Sequence, residues 1–378
     1  MIIALIPLRG GSKSIPKKNI KLMAGKPLCA WTLESAYNSG IFDKVVVSTD
    51  SQEIADVVRS LNLDVEIIMR PAELATDTSS TESVMLHIAD IVDFDVIVTI
   101  QATSPLTEPL DFVNAYKKFN AENLDSLVTG VNQKRFYWDI AGTPLSYDPL
   151  NRPRRQDYNG VIMENGAFYI TKRSVLTQSQ CRLGGRIGIY EMPENTAIEI
   201  DELSDWHAVE KLIKLRQEAT LHDSLKGVKL VAVDVDGVLT DSGMYYDETG
   251  KELKKFNTRD GKGIELLRER GIKTAIITGE SSTITDYRAQ KIKADFVYKG
   301  IQDKGAVICE LALLTGIDRA AIAYIGDDLN DLSAFQCVGI SVCPADAVES
   351  IKTQADLVLS KNGGQGVVRE LADLILKE

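Results

Sequence analysis

The first twenty residues, MIIALIPLRGGSKSIPKKNI, constrain the fold of this chain more than any other stretch. Residues 1–8 form a nearly continuous apolar run, which is typical of a strand buried on both faces of a parallel sheet. The run leads into a glycine loop that carries an arginine and three lysines. Glycines let backbone N–H groups approach an anion closely, so this loop predicts a phosphate site. A solvated basic loop is the alternative, because glycine-rich loops alone are weakly specific.

Further apolar runs predict that the first strand belongs to a larger sheet. A helix is expected from about Pro27 to Asn38, and the pair Asp50 and Glu53 predicts a capping box for the next helix. Alternating strands and helices indicate a parallel sheet covered by helices. Polar residues gather where each strand should end, which is the ligand edge of nucleotide-binding sheets. The further predicted strands are 44–50, 65–69 and 95–101.

The order of residues in the basic loop, IPLRGGSKSIPKKN, resembles the nucleotide signature of the sugar-acid cytidylyltransferases, especially the CMP-sialic acid synthetases. RPAELATDTSS (70–80) resembles the cytidine-side loop of that family, and QATSPL (101–106) resembles its sugar-side loop. The family often has arginine where this chain has Thr107. The resemblance implies catalytic roles for Arg9 and Lys18 in offsetting charge during transfer. It implies nucleotide contacts from Arg9, Gly10, Ser12, Lys18, Asn19, Arg70 and Asp77, and sugar contacts from Gln101 and Ser104.

Two later segments resemble the part of the synthetases that closes over the nonulosonate sugar and helps form the dimer. They are RPRRQDY (152–158) and ENGAFYI (164–170). The resemblance assigns Arg155 to the sugar carboxylate and Asn165 to the sugar. A guanidinium fork suits a carboxylate, although three arginines within four residues usually form a solvated loop.

AIEIDELSDW (197–206) carries the candidate metal ligands of the first domain. Glu199 and Asp201 alternate along a predicted strand, so both carboxylates should face the same side. Two oxygen ligands on one face suit Mg²⁺, while a strand with a solvent-facing polar side is the alternative. Relatives in the resembled family have Asp at both positions, so Glu199 is a departure.

KLVAVDVDGVLTD (229–241) is the most specific motif of the chain. A buried strand ends in Asp234 and Asp236, which share one face. A carboxylate there can attack phosphorus if a metal screens its charge, and the second carboxylate can move the proton. This segment resembles motif I of the haloacid dehalogenase (HAD) phosphatases, and their other motifs follow in order. The resemblance implies Thr278 as a hydroxyl that donates a hydrogen bond to the transferring phosphoryl group, Lys304 as fixed cation, and Mg²⁺ ligands Asp234, Asp236, Asp327 and Asp328.

Residues 242–261, between motif I and the next helix, predict a β-hairpin and leave no room for a large cap domain. This arrangement resembles the capless KDO-8-phosphate and KDN/Neu5Ac-9-phosphate phosphatases, which are typically tetramers in which a neighbouring subunit closes the site. KNGGQGVVRE (361–370) resembles the glycine-rich tail that contributes to closure. Glu280 stands where the KDO-8-phosphate branch usually has Arg, which implies a contact with the sugar of a nonulosonate 9-phosphate.

We therefore predict an α/β chain of two domains: a Rossmann-like nucleotidyltransferase sheet at 1–222 and a HAD-like Rossmannoid domain without a large cap at 226–378. A helix from about Leu203 to Ala219 should end the first domain. The net charge of −11 argues against a general nucleic-acid or membrane binder. Because no apolar run approaches a membrane span and the five cysteines form no CxxC pair, we expect a cytoplasmic protein.

The predicted function is bifunctional activation of a nonulosonic acid. One domain would transfer CMP from CTP to a sialic-acid-type sugar, Neu5Ac or KDN, and the other would hydrolyse the sugar acid 9-phosphate. The resemblance implies Mg²⁺ in both domains and a homotetramer through the HAD-like domains, with dimerised synthetase domains. Two alternatives stay open: a HAD-like domain that mainly serves tetramerisation, and KDO as the sugar.

Overall fold

The computed structural model describes residues 1–377 and divides into two compact units, Met1–Leu215 and Arg216–Glu378. The boundary falls inside helix Leu203–Lys226, which continues past the end expected near Ala219. No glycine or proline interrupts this segment before Gly227, and Leu221 and Leu225 pack into the core of the second unit. The limits 1–222 and 226–378 remain our proposal for the two domains.

The first unit is built on a seven-stranded sheet, and the four strands predicted from apolar runs are all present. The order across the sheet is β5-β4-β1-β6-β8-β7-β9, and β2 pairs with β3 in a separate ribbon. The strands are β1 (Ile2–Leu8), β2 (Leu22–Met23), β3 (Lys26–Pro27), β4 (Lys44–Thr49), β5 (Glu66–Met69), β6 (Val96–Ile100), β7 (Ser126–Gln133), β8 (Val161–Lys172) and β9 (Ile187–Met192).

This sheet is parallel over β5, β4, β1 and β6, as predicted, but β8 runs antiparallel to both of its neighbours. The connection from β7 to β8, residues 134–160, contains short 3₁₀ turns and no crossover helix. A chain that returns without a crossover pairs antiparallel. The all-parallel expectation was therefore wrong for this half of the sheet.

Six helices accompany the first sheet, the last of them shared with the second unit. Gly40 ends the first helix in a left-handed conformation, which glycine adopts without a steric penalty. The expected capping box of Asp50 with Glu53 is wrong, because Ser51 caps the next helix and Asp50 accepts a hydrogen bond from Gly10 N–H instead. The helices are α1 (Leu28–Ser39), α2 (Gln52–Ser60), α3 (Thr81–Ile91), α4 (Pro109–Ala121), α5 (Arg173–Ser179) and α6 (Leu203–Lys226).

The second unit is a six-stranded, fully parallel sheet with order β14-β13-β10-β15-β16-β17. The strands of this sheet are β10 (Leu230–Val233), β13 (Lys273–Ile277), β14 (Phe296–Tyr298), β15 (Ile322–Ile325), β16 (Ile340–Cys343) and β17 (Leu357–Val358). A separate ribbon consists of β11 (Tyr245–Tyr246) and β12 (Glu252–Leu253). Its helices are α7 (Thr258–Glu269), α8 (Thr283–Ile292), α9 (Lys304–Thr315), α10 (Leu332–Phe335), α11 (Glu349–Lys352) and α12 (Val367–Ile375). β10, β13 and β15 carry the predicted motifs at their carboxyl ends.

The predicted hairpin is present as the antiparallel pair β11 and β12, and this short ribbon stands where a cap domain would be inserted. The glycine-rich tail lies against the motif I loop of its own chain: Gly364 N–H donates to the Val238 carbonyl over 2.9 Å. Its role in closing a neighbouring site stays a prediction. Among residues 1–377, no helix is both long and apolar enough to cross a membrane.

Candidate active sites

A cavity of about 310 Å³ lies at the carboxyl ends of β1, β5 and β6 in the first unit. It collects six of the seven predicted nucleotide residues, all except Gly10, from segments that are far apart in the sequence, together with Gln101 and the hydroxyl groups of Thr76, Ser79 and Ser80. The predicted residues that line it are Arg9, Ser12, Lys18, Asn19, Arg70, Asp77 and Gln101. The fold therefore brings together seven of the residues that the resemblance assigns to the nucleotide and the sugar.

The basic loop at the mouth of this cavity is held in shape by its own polar contacts. Gly10 N–H donates to Asp50 over 2.9 Å, and the Asn19 amide donates to the Arg9 carbonyl over 3.0 Å. Asp77 pairs with Arg9 at 3.1 Å and with Lys13 at 2.7 Å, which lowers the pKa of its carboxyl through the contacts with Lys13 and Arg9. These cations are positioned to receive an anion at the carboxyl edge of the sheet.

Arg70 is the buried cation of this cavity. Its side chain is 4% exposed, its nearest carboxylate oxygen is that of Asp50 at 3.7 Å, and its Nε has no hydrogen-bond partner. Burial lowers the pKa of the guanidinium, against the effect of Asp50. A buried donor without a partner that lines a cavity suits an acceptor on a ligand.

Lys18 lies beside the candidate metal ligands of the first unit. Its ammonium donates to the Ile200 carbonyl over 2.6 Å and is 3.8 Å from Asp201. Glu199 accepts from the Thr103 hydroxyl, and burial together with the nearby Asp201 raises the pKa of its carboxyl. Residues 198–202 are not a strand as predicted: Ile200 N–H donates to the carbonyl of Thr103, which lies in the loop after β6 and not in a strand.

The remaining sugar-site predictions lie outside this cavity. Arg155 is exposed in a 3₁₀ turn, and Ser104 is buried with its hydroxyl unpaired. Asn165 is buried on β8 with its amide donating to Thr196 and to the Met192 sulfur. Thr107, at the position where the resembled family often has arginine, is also buried and donates to the Ser104 carbonyl. Sugar contacts by Arg155 and Asn165 stay predictions.

The second unit contains a cavity of about 210 Å³ at the carboxyl ends of β10, β13 and β15. The predicted residues that line it are Asp234, Asp236, Thr278, Glu280, Asp327 and Asp328. Gly237 adopts φ +78° directly behind Asp236, and a Cβ there would lie 1.8 Å from an Asp327 oxygen. Glycine at this position therefore allows the motif I loop and Asp327 to approach closely.

Lys304 and Asp331 do not line this cavity themselves, but they contact residues that do. The Lys304 ammonium, almost fully buried, lies 2.8 Å from Asp234 and 2.6 Å from Asp331. Asp331 also accepts from the Tyr324 hydroxyl and from the N–H groups of Asp327 and Asp328. Both of its oxygens take part in these contacts, so Asp331 fixes its neighbours.

Carboxylates of the second cavity are close enough to hold a cation. Oxygens of Asp234, Asp327 and Asp331 lie within 4.8 Å of one another. Burial, followed by the neighbouring carboxylates, raises the pKa of Asp234 and of Asp327 to about 7. Oxygen donors whose mutual repulsion needs a screening charge fit Mg²⁺.

The raised pKa values predict how metal and pH act together on stability. Asp234 and Asp327 bind protons more tightly folded than unfolded, so without metal the second unit loses stability as pH rises from about 4 to about 7. Mg²⁺ requires the charged carboxylates, so its stabilisation should grow over the same window. We expect thermal unfolding to show a Mg²⁺-induced gain at pH 8 that is ~1–2 kcal/mol larger than at pH 5.5. Asp327→Asn should remove the gain, and an equal gain at both pH values would contradict this assignment.

Sequence reasoning did not assign Asp50 to the first site or Lys254 to the second. Asp50 directly follows β4, so the same strand-end signal that found Asp234 would have found it. Lys254 follows β12 and contacts Asp236 and Glu280. No sequence pattern marks Lys254, because its partners come from other strands.

Comparison with known proteins places both units in families. Residues 3–230 match the family model "Cytidylyltransferase", which is more than half of the chain. The chain belongs to the cytidylyltransferase family. Residues 281–371 match "haloacid dehalogenase-like hydrolase", so a HAD hydrolase domain follows the cytidylyltransferase domain in one polypeptide. That match begins after Asp234, Asp236 and Thr278, whose roles stay predictions.

Two relatives match nearly the whole length of this chain. N-acylneuraminate cytidylyltransferase of Oncorhynchus mykiss is 34% identical over 99% of this chain and 88% of its own. N-acylneuraminate cytidylyltransferase A of Danio rerio is 32% identical with the same coverage.

The second unit has relatives of its own. A 3-deoxy-D-manno-octulosonate 8-phosphate phosphatase of Haemophilus influenzae is 38% identical over 42% of this chain and 87% of its own. The corresponding enzyme of Moraxella catarrhalis, solved with magnesium, phosphate and KDO, is 39% identical over 42% of this chain and 91% of that chain, with a TM-score of 0.41. The fold class predicted from the sequence, two α/β domains of nucleotidyltransferase and HAD type, is confirmed.

Proposed function

We propose that this chain activates a nonulosonic acid in two consecutive reactions. The second unit hydrolyses a sugar acid 9-phosphate, and the first unit joins the freed Neu5Ac or KDN to CMP from CTP. The observation that carries the proposal is the pair of cavities, each at the carboxyl edge of its own sheet and each lined by several of the charged residues predicted for one reaction. The whole-chain relatives named N-acylneuraminate cytidylyltransferase support the choice of sugar.

In the first unit, the anomeric hydroxyl of the sugar attacks the α-phosphorus of CTP and the bond to the departing pyrophosphate breaks. Arg9 and Lys18 line the cavity and offset the negative charge of the phosphates, and Arg70 supplies a buried hydrogen-bond donor to the nucleotide. Glu199 and Asp201 are oxygen donors on one side of Lys18 and would hold Mg²⁺. When bound, Mg²⁺ would offset the negative charge of the phosphates.

In the second unit, Asp234 attacks the phosphorus and forms an aspartyl phosphate as the sugar hydroxyl leaves. Asp236 gives the leaving oxygen its proton, then takes a proton from the water that cleaves the aspartyl phosphate. Thr278 donates to the phosphoryl group, and Lys304 holds Asp234 in place at 2.8 Å. Asp234, Asp236, Asp327 and Asp328 form the proposed Mg²⁺ site, where the ion would screen the negative charges.

A second candidate substrate is KDO. The relatives of the second unit are named as phosphatases of 3-deoxy-D-manno-octulosonate 8-phosphate, which supports this alternative. Glu280 favours the 9-phosphates, because that branch of the resembled phosphatases has Glu where the KDO-8-phosphate branch usually has Arg. Glu280 lines the cavity in this chain, which supports a contact with the sugar.

Substrate comparison tests the proposal. We expect CMP transfer to Neu5Ac or KDN, and phosphate release from their 9-phosphates, with kcat/KM at least ~100-fold above KDO and its 8-phosphate, a ratio equal to about 2.7 kcal/mol. Both reactions should require Mg²⁺. Preference for KDO in both assays would establish the second candidate. CMP transfer without phosphate release from any ester would reduce the second unit to an assembly module.

Assembly and compartment complete the proposal. The hairpin exposes Met244, Tyr245, Tyr246 and Leu253, apolar side chains that suit contact with other copies of the chain. We therefore propose a homotetramer through the second units, with dimerised first units, and a scattering mass of four chains would support it. The five cysteines are free, which suits the reducing cytoplasm.

A further inference from the structure

Lys254 is a buried cation with no role in the reactions described above. Its side chain is 1% exposed, and its ammonium lies 2.7 and 2.8 Å from the two oxygens of Asp236. The same ammonium donates to Glu280 and lies 3.6 Å from Glu252. A buried lysine is tolerated when carboxylates pair with it, so these contacts hold the ammonium in one place.

The carboxylates that Lys254 joins have different tasks in the proposed hydrolysis. Asp236 is the proton donor, and Glu280 is the residue placed to contact the sugar. Both line the cavity, at 28% and 38% side-chain exposure, whereas Lys254 itself does not line it. Without the ammonium, two negative groups would face each other next to the position of an anionic phosphate.

The hairpin determines where the ammonium lies. Asp247 N–H donates to the Lys251 carbonyl over 3.0 Å, and Tyr246 pairs with Glu252 in the ribbon. Lys254 follows the second strand of this ribbon by one residue. The neighbouring Lys255 is 62% exposed and pairs with Asp241, which does not line the cavity, so the two lysines differ in environment and not in charge.

We propose that Lys254 is a positioning residue that couples sugar recognition at Glu280 to proton donation by Asp236. The proposal rests on the proposed hydrolysis of a sugar acid phosphate by the second unit. One ammonium fixes both carboxylates, so contact of the sugar with Glu280 acts on the group that fixes Asp236. A phosphate ester without the sugar acid lacks this contact.

Three esters separate the steps. p-Nitrophenyl phosphate has a leaving group that needs no proton, glycerol 3-phosphate needs the proton but lacks the sugar acid, and the preferred sugar acid 9-phosphate needs both. We expect Lys254→Met to change kcat for p-nitrophenyl phosphate by less than ~3-fold, to lower it ~10-fold for glycerol 3-phosphate and ~100-fold for the sugar ester. Lys254→Arg should recover most of the loss, and Lys255→Met should match wild type.

The outcomes distinguish this proposal from the one it rests on. If wild type cleaves p-nitrophenyl phosphate but not the sugar ester, the proposed function fails. If wild type cleaves the sugar ester and Lys254→Met lowers kcat equally for all three esters, or leaves it unchanged, the coupling role is overturned. The Lys254→Arg variant answers the same question if Lys254→Met does not fold, because a charge at the right place should keep the order of the three esters.

Discussion

Asp234→Asn is expected to lower phosphate release at least ~10³-fold while CMP transfer stays within about twofold of wild type. The amide has the shape of the carboxylate but cannot form an aspartyl phosphate under the same conditions. It also loses the charge that pairs with Lys304 at 2.8 Å. Phosphate release from the sugar acid 9-phosphate and CMP transfer from CTP should be measured on the same preparation.

Asp241→Asn is the matched control for this variant. Asp241 lies in the same loop region, pairs with the exposed Lys255 at 2.7 Å and does not line the cavity. We expect it to keep wild-type phosphate release. Unchanged phosphate release by Asp234→Asn would contradict the nucleophile assignment and leave the second unit as an assembly module.

Lys18→Met is expected to lower kcat/KM for CMP transfer ~100-fold or more, with phosphate release unchanged. Its ammonium is held at 2.6 Å from the Ile200 carbonyl, between the cavity and the candidate metal ligands. Removal of a fixed cation from a phosphate site removes charge stabilisation that solvent does not replace. Steady-state CMP transfer with CTP varied at saturating sugar gives the effect on kcat and KM separately.

Lys17→Met gives the comparison within the same loop. Lys17 directly precedes Lys18 in the chain, pairs with Glu53 and has a side chain that is 65% exposed. Its loss removes the same unit of charge, but from solvent. Equal effects of the two substitutions would show that only the general positive charge of the loop matters, and normal transfer by Lys18→Met would contradict its catalytic assignment.

The sequence predicted the core of both units because their signals are local. Buried parallel strands leave long apolar runs, and the residue that follows such a run lies at the ligand edge whatever the rest of the chain does. Arg9, Asp234, Thr278 and Asp327 all follow a strand in this way, and all line a cavity.

Local signals were insufficient where tertiary partners decide. The pattern of Asp50 and Glu53 suits a helix cap, but Asp50 is taken by Gly10 and Ser51 caps the helix. Lys254 carries no pattern at all, because its partners Asp236 and Glu280 follow β10 and β13, and only Glu252 belongs to its own hairpin.

Similar limits apply to the sugar side of the first unit. Arg155 and Asn165 were assigned by resemblance, and their positions relative to a ligand depend on contacts beyond the sequence segment. Asn165 is buried on β8 and its amide donates to Thr196, whereas Arg155 does not line the cavity. The antiparallel direction of β8 also followed from a connection whose path the apolar pattern does not describe.

The most direct test of the bifunctional account is a single reaction that contains the purified chain, the sugar acid 9-phosphate, CTP and Mg²⁺, with no free sugar acid. We expect inorganic phosphate to appear first and the CMP-sugar to follow it. Asp234→Asn should abolish both products, and added free sugar acid should restore only the CMP-sugar. Two results with the wild-type chain would contradict the claim that one chain performs the two reactions in sequence. One is a CMP-sugar that still carries the 9-phosphate, and the other is the formation of CMP-sugar only after free sugar acid is added.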